Sequence, residues 1–347
     1  MDDNLQSQLT GMELPSGWTI EKKLSRSSDA TGAQFSTGFV ANHVDGRRAF
    51  LKVIDPVINT DLEPDEQLKD LELRLAIYNY ECDLLEKCVT KNIRRVVRIV
   101  DRGTCAVDGI AGPIHYIMLE LAERDLSEHA CLADTLNTTL NLHVVHQTSL
   151  ALEQLHFHQI RHQDVKPSNI LLFTKLKIKL GDLGHAHDKA APRPGRNGVI
   201  AGDPGYAPPE QLYGYSMPDV NAQRLATDLY LLGGVIVYLF TNLSLTTLIS
   251  NQIAPQHHWE AWPDNFDNVT PYLREAWDAA MEEFATAVPS TIREELVMLT
   301  RYLTDPLPEN RGHPKAKLKK ISTYGLRQFS SRFHVLAKRS ELAPATV

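Results

Sequence analysis

Three side chains of complementary chemistry fall within eight residues near the middle of the chain. They are Asp164, Lys166 and Asn169 in His162-Gln163-Asp164-Val165-Lys166-Pro167-Ser168-Asn169. A carboxylate at Asp164 can accept or steer the proton of an attacking hydroxyl. The ammonium of Lys166 can neutralise phosphate charge, and the amide oxygen of Asn169 is a hard metal ligand. A second carboxylate follows the apolar run Ile170–Phe173 and the short segment Lys177–Leu180, as Asp182 in Asp182-Leu183-Gly184. It stands at the end of a hairpin-like element, where a second metal contact is needed. The chemistry such a set serves is phosphoryl transfer from a nucleotide–Mg²⁺ complex.

Groups spread over this much chain need two packed bodies to bring them together, and 347 residues suffice for two lobes with their own cores. The net charge of −7 gives the whole chain no general attraction to nucleic acid or to an anionic membrane surface. The four cysteines, Cys82, Cys88, Cys105 and Cys131, show no Cys-x-x-Cys spacing and read as reduced structural thiols of a cytoplasmic protein. The N-terminus is acidic and polar, with no basic region leading into an apolar run, so no signal peptide is visible. The longest apolar stretch, residues 229–240, is too short to span a bilayer and reads as a buried helix. No membrane association is expected.

The order of the reactive residues resembles the eukaryotic-type serine/threonine protein kinase family, whose pattern is H-R-D-x-K-x-x-N followed by D-F-G. The resemblance runs over about residues 18–311. It implies an α+β, bilobal protein-kinase-like fold: a small antiparallel sheet lobe with one helix over 18–120 and a helical large lobe over 121–312. A flexible lead-in, 1–17, and a basic C-terminal extension, 313–347, flank them. It also implies ATP and Mg²⁺ as cofactors, with Mn²⁺ as the alternative metal, and a protein substrate.

Residue by residue, the resemblance assigns Asp164 and Lys166 to the catalytic loop and Asn169 and Asp182 to metal. Lys52, at the end of Ala49-Phe50-Leu51-Lys52, matches the lysine of V-A-x-K that reaches the α/β-phosphates. Such a lysine between Leu51 and Val53 needs a charged partner, because burying it alone is costly. Glu81, on a helix expected over residues 71–88, fits that partner. Glu72 is the alternative, and Glu86 falls on another face. Leu119 guards the deep pocket, the backbones of Glu120 and Ala122 meet the adenine edge, and Asp125 reaches the ribose. The phosphate-covering loop is the weak element. Only Gly32 matches a glycine of G-x-G-x-x-G, Phe35 matches the aromatic at its tip, and Ser36 sits where the third glycine belongs. Phe50 replaces a small residue over the adenine and narrows the slot.

Two further departures bear on regulation and on chemistry. Gln163 replaces the arginine that receives a phosphate from the activation segment, and a neutral amide rewards phosphate little. The segment from Asp182 to Glu210 agrees, since it contains no Ser or Thr. Activity is therefore expected to be independent of activation-segment phosphorylation, with a regulatory protein partner acting in trans. Asp203, in Gly202-Asp203-Pro204-Gly205-Tyr206-Ala207-Pro208-Pro209-Glu210, stands where the family has threonine. It can bind Lys166, yet it would repel Asp164. Glu210 is expected to pair with Arg311, and Asp228 to tie down the catalytic-loop backbone.

Competing readings attach to several of these features. His143, His146, His156, His158 and His162 raise a metal site, but no acidic or thiolate residue completes a set, and the resemblance gives His162 a bracing role. The basic tail, with Lys315, Lys317, Lys319, Lys320, Arg327, Arg332, Lys338 and Arg339, is either a helix packed on the acidic body or a contact for nucleic acid or an acidic partner. For the whole chain the alternative to an active kinase is a pseudokinase, a nucleotide-binding or scaffolding module, on the strength of the poor glycine loop, Phe50 and Asp203.

Overall fold

The computed structural model describes residues 8–24, 36–54, 63–107, 112–128, 138–195, 200, 202–318 and 323–342. The first lobe is a five-stranded antiparallel sheet in the order β1-β2-β3-β5-β4. Its strands are β1 (Trp18–Lys23), β2 (Ser36–His43), β3 (Arg48–Ile54), β4 (Ile99–Cys105) and β5 (Ile114–Glu120). Alternation along each strand divides the sheet into two faces. Ala49, Leu51 and Val53 of β3 join Trp18, Ile20, Phe39 and Met118 in the lobe's core. Phe50 and Lys52 therefore face the other way, into the interlobe cleft.

Residues 8–17, expected to be a loose lead-in, pack instead. Leu9 and Leu14 are buried in that core, and Gly11 N–H donates to the Ile20 carbonyl at 2.8 Å. Strand β4 begins only at Ile99. Val96 and Val97 are buried, but they bridge to Leu180 of the other lobe.

The long helix among the described residues of this lobe, α1 (Pro64–Thr90), starts well before residue 71. Proline in its first turn, Asp65 and Glu66 beside it, and Lys87 in the last turn fit the polarity of a helix dipole.

The second lobe is helical around α4 (Val220–Thr241), flanked by α2 (Thr138–Phe157), α3 (Pro209–Leu212), α5 (Leu245–Gln252), α6 (Phe266–Ala287) and α7 (Ser290–Thr304). By length and hydropathy α4 could cross a membrane, longer than the apolar run alone indicated. However, 78% of its apolar window is buried inside the protein, the mark of a core helix. Short strands β6 (Arg124–Asp125), β8 (Ile170–Phe173) and β9 (Lys177–Leu180) form one small sheet, and β7 (Ile160–Arg161) pairs with β10 (His187–Asp188). These hairpins carry the reactive residues to the cleft.

The tail folds back as α8 (Pro314–Leu318) and α9 (Arg327–Leu342). Phe329, Phe333 and Leu336 are buried, and α9 lies along α2. Arg332 and Arg339 both pair with Glu295, and His143 meets Glu341 at 2.6 Å. The tail is thus a helix packed on the body through its apolar face, with Glu295 as the acidic contact for its arginines.

Candidate active site

Alternation on β3 aims Lys52 into the cleft, and α1 brings the answering carboxylate. Lys52 Nζ donates to both oxygens of Glu81, at 2.8 and 3.0 Å, and lies 3.5 Å from Asp182 Oδ1. Glu72 is exposed, and Glu86 is taken by Arg102 at 3.0 Å, so Glu81 is the partner. Burial pulls the Lys52 ammonium down, but the carboxylates of Asp182 and Glu81 outweigh it and its pKa is raised. At Asp182 burial is again opposed, chiefly by Lys52, and the carboxyl titrates below its usual range. At Glu81 desolvation wins and the pKa is raised. The bidentate contact nevertheless requires a charged carboxylate, and a buried ammonium held by two such groups is the stable arrangement.

The catalytic-loop backbone is strained and tied down. Gln163 adopts φ +65°, which a non-glycine residue holds only when its surroundings impose it. Asp228, at the buried start of the apolar run in α4, accepts the N–H groups of His162 (2.9 Å) and Gln163 (2.8 Å), and contacts His156 Nε2 at 2.7 Å. Burial raises its carboxyl, but His156 and these donors more than offset that, and its pKa is lowered. The Gln163 side chain donates to Asp228 (2.9 Å) and to the Arg224 carbonyl (2.8 Å), so it turns to α4 and not to the activation segment. His162 Nε2 donates to the Gly181 carbonyl at 3.0 Å, a bracing role.

Within this frame Asp164 is buried and its oxygens are aimed. Oδ1 accepts Asp203 N–H at 3.1 Å, and Oδ2 accepts Asn169 Nδ2 at 3.0 Å. Gly202, at φ +71°, lets the chain pass here, since a Cβ would lie 2.5 Å from Asp164 Oδ1. Lys166 Nζ sits 3.5 Å from Asp164 Oδ2 and 3.2 Å from Asp203 Oδ2. Asp203 Oδ1 accepts Gly205 N–H at 2.9 Å. Lys166 is thus shared between the two carboxylates, and this tempers the repulsion expected from Asp203.

The cleft between the lobes has a volume of about 270 Å³. Leu119, Glu120, Ala122, Asp125, Asn169 and Asp182 all line it, together with Lys52, Glu81, Lys166 and Phe50. Asp125 Oδ1 also caps a local turn, accepting Ser127 N–H (2.8 Å) and Glu128 N–H (3.0 Å). Gly32 and Phe35 lie outside the described residues. Ser36 and Gly38 were not singled out as partners of Phe50, yet they border the same cleft. A Cβ on Gly38 would come within 2.7 Å of the Phe50 ring, so a bare backbone on β2 seats the large side chain of β3. The same-face pairing of alternate strand positions is the sequence signal for it.

The donors fit a hard divalent cation. Four carboxylates (Glu81, Asp164, Asp182 and Asp203) face only two ammonium groups, Lys52 and Lys166. Asn169 Nδ2 is committed to the Asp164 carbonyl (2.8 Å) and side chain, which leaves its amide oxygen for another partner. Among the described residues there is no cluster of three or more His, Cys, Asp or Glu suited to a metal. Asp182 and Asn169 would therefore share an ion with phosphate oxygens and water, the usual manner of Mg²⁺.

Comparison with known proteins agrees with this geometry. An Aurora kinase from Debaryomyces hansenii is 29% identical over 165 residues, covering 46% of this chain and 38% of its own length. Serine/threonine-protein kinase PknA from Mycobacterium tuberculosis is 26% identical over 207 residues, 59% of this chain and 43% of its own. Serine/threonine-protein kinase SBK1 from Danio rerio is 35% identical over 99 residues, 28% of this chain and 24% of its own. The chain thus spans less than half the length of these relatives. The protein kinase domain family matches residues 60–320, and it is the structure that adds β3 and Lys52 to the matched part. With a match over most of its length and the bilobal α+β fold to go with it, the chain belongs to the protein kinase family.

Proposed function

We propose that this protein is an ATP-dependent protein kinase that transfers the γ-phosphate to serine or threonine hydroxyls without phosphorylation of its activation segment. One observation carries the reading: Lys52–Glu81, Asp182 and the Asp164–Lys166–Asn169 group converge on a single cleft in paired, hydrogen-bonded geometry. Lys52 orients phosphate and Glu81 holds Lys52. Asp164 orients the hydroxyl and accepts its proton. Lys166 spreads charge from the transferring group, and Asn169 and Asp182 are the metal ligands. Mg²⁺, or Mn²⁺ in its place, supplies neutralisation of the phosphate oxygens when bound. The backbones at Glu120 and Ala122 serve the adenine edge, Leu119 closes the inner end, and Asp125 takes the ribose. The names of the relatives support a Ser/Thr substrate, and the buried free thiols of Cys82, Cys88 and Cys105 suit a cytoplasmic protein.

The second reading, a nucleotide-binding or scaffolding pseudokinase, is favoured by the hold of Asp203 on Lys166. Transfer of labelled γ-phosphate with Mg²⁺ or Mn²⁺ to a generic basic protein, or to the protein itself, separates the two. Label that Lys52→Ala and Asp182→Ala both remove supports the enzyme. Wild-type protein that binds nucleotide in a thermal-shift assay and transfers none rejects it.

Phe50 sets the width of the nucleotide slot. Gly38→Ala is expected to drive the ring into the cleft and raise the KM for ATP about tenfold, since one added methyl in packed space costs about 1–3 kcal/mol. Adding Phe50→Ala should recover most of that loss, because the two changes share one contact and do not add. Equal KM values for Gly38→Ala and wild type would reject this wall of the site.

A further inference from the structure

The proposed chemistry needs Glu81 held against Lys52, and the family's usual means, a phosphate on the activation segment, has neither a Ser or Thr acceptor nor an arginine at position 163 here. Another tie is present. Leu73, Tyr80 and Lys87 are spaced seven apart on α1, which keeps them on one face of the helix. All three meet the activation segment. The Tyr80 hydroxyl donates to the Ala186 carbonyl at 3.1 Å and accepts Asp188 N–H at 2.9 Å. Lys87 Nζ donates to Asp188 Oδ2 at 2.5 Å. At the other end, a Cβ on Gly195 would sit 3.0 Å from Leu73 Cδ1, so the segment runs directly over α1.

Asp188 in turn is fixed to the catalytic loop's own support. It pairs with Ile160 while His187 pairs with Arg161, immediately ahead of His162. Its side chain is 4% exposed, and Oδ1 accepts Ala190 N–H at 3.0 Å. From the far side Arg193 Nε donates to the Gly184 carbonyl at 2.6 Å. Helix α1 is therefore clamped between two contacts on different faces, Glu81 on Lys52 and the neighbouring Tyr80 on β10. A helix is stiff enough that a swing breaking one contact loosens the other.

We propose that Tyr80 and Lys87 are positioning residues, a latch from α1 to β10 that keeps Glu81 on Lys52 with no phosphate in the activation segment. This rests on the kinase reading for its consequence and on geometry for its existence. The latch contains no Ser or Thr, and the Tyr80 hydroxyl is buried and committed to Ala186 and Asp188. It makes the paired state the resting state.

The test uses Tyr80→Phe, which removes one oxygen and keeps the ring, and Lys87→Met, with Lys87→Arg as the conservative variant. Hydrogen exchange at residues 185–190 and along α1 is read beside kcat, KM for ATP and the melting temperature. Losing two buried hydrogen bonds is expected to speed exchange at the Asp188 amide and lower kcat/KM about tenfold in Tyr80→Phe, with the melting temperature lowered by a few degrees. Lys87→Met should follow, and Lys87→Arg should stay within about twofold of wild type because the ion pair survives. Phosphatase treatment of wild type should change nothing. Unchanged exchange in both disabled variants, or undiminished transfer despite faster exchange, overturns the latch. Wild-type protein without transfer would instead reject the kinase reading, and exchange alone would then decide whether α1 is latched.

Discussion

Asp164→Asn is expected to lower kcat by about 10²–10⁴-fold, the range for losing a positioned general base. Nucleotide binding should change little, because Asp164 lies beyond the residues that seat adenine and ribose. The substitution is nearly isosteric, yet it is severe for a reason visible in the hydrogen bonds. Both oxygens of Asp164 are acceptors, Oδ1 for Asp203 N–H and Oδ2 for Asn169 Nδ2. Either orientation of an asparagine amide would set an N–H against one of these donors, in a position that is 2% exposed. The variant loses the base and the alignment of its neighbours together. Single-turnover phosphate transfer beside a nucleotide-binding titration checks this. A fall of less than about tenfold would mean that Asp164 does not act on the hydroxyl.

Asp203 decides how that result should be interpreted. A carboxylate in place of the family's threonine brings a second claim on Lys166, at 3.2 Å against 3.5 Å for Asp164. It is not free to turn away, since Gly205 N–H holds its other oxygen. The surplus of negative charge makes the cleft more dependent on a divalent cation than a threonine would, because only added positive charge relieves it. In the proposed reaction, Asp203 is expected to shift the charge requirement from Lys166 towards the ion.

Much of the candidate site was legible in the sequence because its residues are close together in the chain. Asp164, Lys166 and Asn169 share one loop, Asp182 follows by a hairpin, and the pairing of Glu81 with Lys52 followed from the need of a buried ammonium for a partner. What stayed hidden depended on packing between distant segments. Nothing local distinguishes Tyr80 from any other helix tyrosine; its role appears only when Ala186 and Asp188 arrive beside it. Leu9 and Leu14 look like isolated apolar residues in a polar lead-in until the sheet covers them. The early start of α1 was signalled by Pro64, Asp65 and Glu66, but the polar composition of the stretch masked it. Gln163 was read only as a lost phosphate receptor, whereas the bonds its side chain makes, to Asp228 and to the Arg224 carbonyl, needed the helix in place.

Arg311→Met is expected to cost about 3–5 kcal/mol, a large share of the stability of an ordinary domain. The guanidinium is 0% exposed. It donates to both oxygens of Glu210, at 2.7 and 2.5 Å, to the Asp305 carbonyl at 2.8 Å and to the Ala226 carbonyl at 3.2 Å, and its carbon lies 4.9 Å from the Tyr230 ring centre. Truncation strands the Glu210 carboxylate in the core, and an unpaired buried charge costs more than the pair was worth. Glu210→Met with Arg311→Met should therefore recover part of the loss, because neither charge remains. Arg311→Lys should not, since a lysine cannot reproduce the planar fork. Urea unfolding of the four proteins measures this, and a single-variant loss below about 1 kcal/mol would reject the buried-charge account. The consequence reaches the active site. Ala226 lies two residues before Asp228 on α4, so the ion pair that anchors α3 also steadies the carboxylate holding the strained backbone of Gln163. Alignment of the catalytic loop should therefore suffer as well as stability in Arg311→Met, with transfer reduced even where the protein is still folded.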